Sequence, residues 1–256
     1  MIDDNAIIHP HAKLASGVSV GPGTIIGADV EIGKNTWIGP HVVIQGPTVI
    51  GENNKIYQFS SIGNDPQDLT YQGEPTRLTI GNNNIIREYC MISRGTSKGG
   101  GLTQIADNNF LMAYSHVGHD CVIGNHIILI NYAALSGHVT VEDYAIIGGY
   151  AAVHQFCRVG AYSFIARATY VTKDVLPYVM IAGHTTSACG INTVGLRRRG
   201  FSSQAIDNLR RAYKVIFRKG FTIQQAISEL EIMQVDCPEI LPMIDGLNQS
   251  TRGIVR

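Results

Sequence analysis

A six-residue period limits the fold of this chain more than any other feature. Beginning at Ile8, an aliphatic residue recurs at Leu14, Val20, Ile26, Ile32, Ile38, Ile44, Ile50, Ile56 and Ile62. The phase is lost from 63 to 79, returns at Ile80, Ile86 and Ile92, and slips by one across 93 to 104. It then holds from Ile105 through Leu111, Val117, Ile123, Leu129, Leu135, Val141, Ile147, Val153, Val159 and Ile165 to Val171, for 25 repeats in all. Neither the 3.6-residue turn of a helix nor the alternation of a half-buried strand gives this spacing, but short strands joined by tight turns do. Three such strands form a coil of 18 residues, and about eight coils form a triangular solenoid with the aliphatics stacked inside. Glycine often follows the aliphatic residue, as at Gly21, Gly33, Gly118 and Gly148. It is expected there to supply the unusual backbone angles of the corners.

Composition narrows the function. The 256 residues suit one large domain, or one with a small appendage. Twenty basic residues balance twenty acidic ones, so a coat for nucleic acid, which needs a cationic surplus, is not expected. Five cysteines, odd in number and scattered, show no disulfide framework and no CxxC pair, which points to a reducing compartment. The first ten residues carry two aspartates where a signal peptide needs a basic start and an apolar run. Cys121 to Val141 lacks charged residues, but its Asn125, His126, Asn131 and His138 would be costly in lipid. A soluble, cytoplasmic protein without membrane insertion is expected.

The period lapses twice, and a solenoid accommodates insertions only as loops thrown out from a corner. The first loop (63–79) holds Asp65, Gln67, Asp68, Tyr71, Glu74 and Arg77; the second (93–104) holds Arg94, Lys98 and three consecutive glycines. After Val171 the pattern turns helical. Ser202 caps a predicted helix with apolar positions Ile206, Leu209, Tyr213, Ile216 and Phe217, ended by Gly220. Thr222 and Gln225 form a capping box for a second helix, and Pro238 suits the first turn of a third. The expected organisation is therefore a β solenoid over 1–190 and a small helical domain over 191–256. Residues 190–219 carry eight basic groups against Asp207 alone, a surplus suited to an acidic partner such as an acyl carrier protein or a nucleotide phosphate.

Stacking at 18 residues per coil gathers chemistry onto one edge. His119 follows the repeat residue Val117 by two places; Gly137, beside His138, and Gln155, beside His154, occupy the same corner one and two coils later. At about 4.8 Å per coil these groups span roughly 10 Å, and His116 lies one step back. An imidazole next to Asp120 can act as a general base toward a hydroxyl attacking a thioester. The Gly137 N–H one coil above can meet the developing oxyanion. A zinc site built from His116, His119 and His138 or His154 is the competing reading.

The pattern resembles the hexapeptide-repeat proteins, which fold as left-handed parallel β-helices, usually assemble as trimers, and include many acyltransferases. The γ-class carbonic anhydrases share that solenoid and bind zinc, but they are shorter and lack a comparable C-terminal helical region, so no metal and no cofactor is expected. The stretches Gln67-Asp-Leu, Gly73-Glu-Pro-Thr-Arg77, Arg94-Gly-Thr96, His119-Asp-Cys121, Val153-His-Gln-Phe-Cys157 and Gly195-Leu-Arg-Arg-Arg-Gly200 are similar to the UDP-N-acetylglucosamine 3-O-acyltransferase family, along the whole chain. The resemblance implies transfer of an (R)-3-hydroxyacyl group from acyl carrier protein to the glucosamine 3-hydroxyl, the first step of lipid A synthesis, by a homotrimer. It implies His119 as base, Asp120 as its orienter and Gly137 as oxyanion donor. It implies Asp68, His116, His138, Gln155, Asn192, Arg198 and Arg199 as contacts to sugar nucleotide or acyl chain. Three positions depart from the pattern. Thr70 stands where the family commonly has Lys, Val194 replaces an acidic residue, and Arg167 lies where relatives have glycine and where bulk is thought to set acyl length. A shortened acyl preference is expected from Arg167. A weakened paralogue that captures carrier protein or nucleotide without turnover is the alternative.

Overall fold

The computed structural model describes residues 1–183 and 186–256. Among the described residues, strands two to five residues long fall into three sheets of nine, eight and ten strands. They form a left-handed parallel β-helix followed by helices. The nine-stranded face runs from Ile7–Ile8 to Tyr170–Val171, the eight-stranded face from Lys13–Leu14 to Arg158–Val159, and the ten-stranded face from Ser19–Val20 to the antiparallel hairpin Val179–Ala182 and Ser187–Ile191. Regular coils repeat every 18 residues, as in the pairing of Ile8 with Ile26 and Ile26 with Ile44. Two coils are enlarged, with Ile62 facing Ile92 and Ile92 facing Val117. The inserted segments are shorter than the loss of phase suggests. Strand pairing persists to Asn64 and resumes at Arg77, and it persists to Ser93 and resumes at Leu102.

Repeat residues from Val20 to Val171 are buried in one continuous core. A second inward position, two residues before the repeat aliphatic, mostly takes small side chains: Thr24, Thr36, Asn54, Asn84, Asn109, Ala133, Val139 and Ala145 are all at most 1 % exposed, with Leu78 and Ile127 as larger exceptions. The polar members accept backbone N–H groups from the coil above. Thr36 Oγ1 accepts from Asn54 N at 3.1 Å, Asn54 Oδ1 from Asn84 N at 2.8 Å, and Asn84 Oδ1 from Asn109 N at 2.8 Å. Backbone donors that the bends leave without a carbonyl are thus satisfied inside the prism.

The corners correct the expectation for glycine. The left-handed backbone angle falls three residues after each repeat aliphatic, mostly on residues other than glycine, such as Asn35, Asn83, Tyr89, Tyr114, Asp120, Tyr132 and His138. Glycines directly after the aliphatic have ordinary angles, apart from Gly63 where the first inserted segment begins, and their role is steric. A Cβ on Gly33 would lie 2.5 Å from the Gly51 backbone, and one on Gly118 would lie 2.8 Å from the Gly137 nitrogen. The aromatic rings at the left-handed positions stack coil upon coil, with Phe59, Tyr89, Tyr114, Tyr132 and Tyr150 at centroid spacings of 5.0, 4.7, 4.7 and 4.6 Å. Each pair contributes about 0.5–1.5 kcal/mol, which offsets the roughly 1–2 kcal/mol that a side chain loses in this conformation.

The C-terminal segment forms α1 (Thr193–Arg198), α2 (Ser203–Arg218), α3 (Ile223–Gln234) and α4 (Leu241–Gln249). Ser202 caps α2, and Thr222 with Gln225 closes a capping box on α3, as the sequence indicates. Helix α1 was not legible there; Asn192 caps it through Gly195 N. Pro238 opens a 3₁₀ turn that leads into α4. Tyr213 on α2 donates to Ala188 O at 2.7 Å, and Ser250 donates to the buried Asp174 at 2.7 Å, which ties the helices to the upper coils. Among the described residues no helix is long and apolar enough to cross a membrane.

Candidate active site

His119 lies at the edge between the nine- and eight-stranded faces, one residue before a corner occupied by Asp120 in the left-handed conformation. Asp120 is buried and held from several sides. Its Oδ1 accepts Thr96 N at 2.8 Å, its Oδ2 accepts Thr96 Oγ1 at 2.6 Å, and its own N–H donates to Thr103 Oγ1 at 2.8 Å. The second inserted loop is shaped around this carboxylate. A Cβ on Gly95 would lie 2.8 Å from Asp120 Oδ1, and one on Gly99 would collide with the whole carboxylate. His119 Nδ1 lies 2.8 Å from Asp120 Oδ2. The carboxylate can only accept, so Nδ1 carries the proton and the lone pair is left on Nε2.

Gly137 stands one coil above. A Cβ there would lie 2.6 Å from His119 Nε2, so the imidazole occupies the space that a side chain would need. The neighbouring N–H groups are taken, with Ser136 N bonded to Val153 O and His138 N to His119 O, whereas the Gly137 N–H meets no acceptor among the described residues. His138 packs edge-on against His119 at 5.0 Å and stacks on Phe156 at 4.3 Å, with its Nε2 3.7 Å from Asp120 Oδ2. Burial holds the His138 imidazole below its ordinary pKa, although Asp120 draws it upward.

The first loop closes the cavity. Buried Arg94 anchors it by donating to Gly63 O at 2.6 Å, to Gly46 O at 3.1 Å and to Tyr71 Oη at 3.2 Å, and by pairing with Asp65. Asp68 is held by Thr70, whose N–H and hydroxyl both donate to Oδ1, at 2.8 and 2.9 Å. These bonds, with smaller contributions from the nearby His119 and Lys98, lower the Asp68 pKa. The resulting cavity of about 570 Å³ is lined by Asp68, Thr70, Thr96, Lys98, His119, His138 and Gln155 among others. Sequence reasoning did not assign roles to Thr96, Thr103 or Lys98. Thr96 stood in the Arg94-Gly-Thr96 motif, but only the coordinates show it 24 residues away against Asp120.

The remaining expected residues are divided. His116 is partly buried on the nine-stranded face, its pKa lowered by burial and by His119, and neither it nor His154 lines the cavity. Asn192 and Arg198 line a second cavity of about 460 Å³ with Ile146, Phe164, Met180 and Val194. That cavity lies against the ten-stranded face, which in a triangular prism is the face opposite the His119 edge. Arg199 sits 4.5 Å over the Tyr144 ring, and the exposed Arg167 guanidinium sits 5.6 Å over Tyr150. His119, Asp120 and His138 bring ligand atoms within 4.8 Å of one another. Thr96 and His119 already engage both oxygens of Asp120, an arrangement that fits a carboxylate orienting an imidazole. Cys121 follows directly, but burial pushes its thiol up to about 12, so it offers no thiolate nucleophile.

Comparison with known proteins gives the family. The model for bacterial transferase hexapeptide repeats matches residues 1–34 and 29–64, and that for UDP-N-acetylglucosamine O-acyltransferase domain 2 matches 174–255. The acyl-[acyl-carrier-protein]–UDP-N-acetylglucosamine O-acyltransferase of Stutzerimonas stutzeri is 53% identical over 100% of this chain and 99% of its own. The chain belongs to this acyltransferase family. The Pseudomonas aeruginosa acyltransferase is 54% identical with the same coverage. Among solved structures, LpxA from Acinetobacter baumannii is 47% identical with a TM-score of 0.97, covering 100% of this chain and 99% of that one. The Francisella novicida acyltransferase is 44% identical, also with a TM-score of 0.97, covering 100% of this chain and 94% of that one.

Proposed function

We propose that this acyltransferase moves an (R)-3-hydroxyacyl chain from acyl carrier protein to the 3-hydroxyl of UDP-N-acetylglucosamine, the entry reaction of lipid A synthesis in the cytoplasm. The observation that carries the proposal is His119, held by Asp120 in the cavity that Asp68 also lines, and packed against Gly137, whose N–H meets no acceptor among the described residues. His119 Nε2 takes the proton of the acceptor hydroxyl as the oxygen attacks the thioester carbonyl. The Gly137 N–H receives the oxyanion, and collapse of the tetrahedral adduct expels the carrier thiolate, which takes up the proton from the imidazolium. The inert Cys121 supports direct attack without an acylated enzyme. The division between two cavities on opposite sides of the prism supports a homotrimer, in which Asn192 and Arg198 of one copy meet the His119 edge of the next. All eight basic side chains between 190 and 219 are exposed, and they suit an acidic carrier protein.

Arg167 sets the length of the acyl chain in this reading. It stands 48 residues after His119 along uninterrupted coils, a rise of about 13 Å at 4.8 Å per coil. For copies arranged around an axis parallel to the solenoid, that height is the same whichever copy contributes Arg167. An extended chain advances about 1.25 Å per carbon with 1.5 Å bonds, so a chain of about ten carbons fits beneath it. Turnover of UDP-N-acetylglucosamine with a ladder of hydroxyacyl carrier proteins tests both parts. The rate should peak near ten carbons and move to longer chains in Arg167→Gly, and an unchanged profile refutes the length assignment. His119→Ala should lower turnover about 1000-fold and leave nucleotide binding intact; turnover within about tenfold of wild type in that variant refutes the mechanism.

A further inference from the structure

One Lys or Arg side chain lines the cavity that holds His119, and it comes from a residue to which neither the motif match nor the catalytic geometry gives a part. Lys98 projects from the short 3₁₀ turn Ser97–Gly99, which Thr96 caps and which packs onto Asp120. Its Nζ donates to Thr70 Oγ1 at 3.1 Å across the two inserted loops. Thr70 in turn donates to Asp68. A line of contacts therefore runs from the Lys98 ammonium through the Thr70 hydroxyl to a carboxylate in the acceptor cavity. Thr70 is also the place where the family pattern commonly puts a lysine. The cation is not lost from the cavity but is delivered from 28 residues later in the chain, onto the same spot.

The chemistry of the acceptor requires such a group. In a sugar nucleotide the diphosphate is attached at C1 and the reacting hydroxyl at C3, with one ring carbon between them. The base and the group that meets the phosphates must therefore share one cavity. Within one copy only Lys98 among the lining residues is cationic, while Asp68 is acidic, and in the proposed trimer Arg198 of the next copy would stand beside it. Its ammonium is also exposed and free to leave Thr70 for a stronger acceptor.

We infer that Lys98 binds the anionic diphosphate of the acceptor nucleotide, in the position that Thr70 leaves without a charge. This inference rests on the acyltransferase reading above. The test is steady-state kinetics at fixed acyl carrier protein and varied UDP-N-acetylglucosamine. Wild type, Lys98→Gln, Lys98→Arg and the exchange variant Lys98→Gln/Thr70→Lys are compared, with thermal unfolding of each as a control for folding. Lys98→Gln should raise KM for the nucleotide about tenfold with kcat within about threefold, and the rise should shrink as salt screens the interaction. Lys98→Arg and the exchange variant should return KM to within about threefold of wild type. A Lys98→Gln enzyme with unchanged KM overturns the inference, as does an exchange variant no better than Lys98→Gln, which would show that the lysine serves the shape of the loop rather than its charge. An inactive wild type would instead refute the acyltransferase reading itself.

Discussion

Replacing Gly137 with alanine isolates the contact on which the catalytic geometry depends. The added methyl would lie 2.4 Å from His119 Cε1 and 2.6 Å from Nε2, whereas ordinary contact begins at 3.4 Å. Gly137 belongs to a backbone stacked between coils and cannot retreat, so the imidazole must give way by about 1 Å, stretching its 2.8 Å bond to Asp120 or swinging Nε2 away from the acceptor. A misplacement of about 1 Å at a reacting group lowers the rate roughly 100-fold, about 2.7 kcal/mol of barrier. The Gly137 N–H itself survives the substitution. Single-turnover acyl transfer should therefore fall about 100-fold in Gly137→Ala, with KM for the nucleotide within about threefold. In the His119→Ala background the same substitution should cost almost nothing, because the ring it displaces is absent. A Gly137→Ala enzyme within about threefold of wild-type rate would refute the steric reasoning. Equal losses in both backgrounds would show that the damage falls on the oxyanion donor and not on the base.

Thr96→Val removes the 2.6 Å bond to Asp120 Oδ2 and the side-chain cap of the 3₁₀ turn; a buried charge-assisted bond of this kind is worth about 1.5–3 kcal/mol, so kcat should fall roughly tenfold or more while Thr96→Ser retains most of the rate. Arg94→Ala leaves Asp65 and the carbonyls of Gly46 and Gly63 without their donor and should destabilise the protein by about 3 kcal/mol; limited proteolysis should then open residues 65–76 first, and an uncut loop would contradict the anchoring role. Burial holds His116 below its ordinary pKa, so the unfolded chain takes up a proton that the folded chain refuses, and the stability this imidazole lends is present above about pH 6.5 and lost as the pH falls through its folded value. Thermal midpoints of His116→Gln should accordingly fall less than those of wild type between about pH 7 and 5, and parallel curves would refute the assignment. Gly33→Ala sets a methyl 2.5 Å from the Gly51 backbone and should lower the midpoint far more than an alanine at Gly149, whose methyl would come no nearer than 3.2 Å to any neighbour.

The solenoid was legible because period six is a direct image of coil geometry; one buried aliphatic per strand leaves little freedom in how Val117 meets Leu135 and Val153. The glycines were misread for a related reason. Sequence shows that Gly33 and Gly118 recur after the aliphatic but not whether a glycine is needed for its backbone angle or for the space around its missing Cβ, and the neighbouring coil decides that. The edge bearing His119, Gly137, His138 and Gln155 was legible from the 18-residue coil alone. Contacts that cross the inserted loops were not. Thr96 reaches Asp120, and Lys98 reaches Thr70, only because segments of irregular backbone fold back on the prism, and no periodicity encodes their path. Helix α1 escaped notice because six residues hold too little of an apolar pattern to register.

One bend, repeated in every storey, carries consequences beyond packing. The position with the left-handed backbone is filled by tyrosine or phenylalanine along one ridge and by asparagine along much of another, yet on the third ridge successive storeys place Asp120, His138 and Phe156 there. The candidate site therefore takes part of its machinery, Asp120 and His138, from an address that every regular storey possesses, and leaves only the walls around it to the inserted loops.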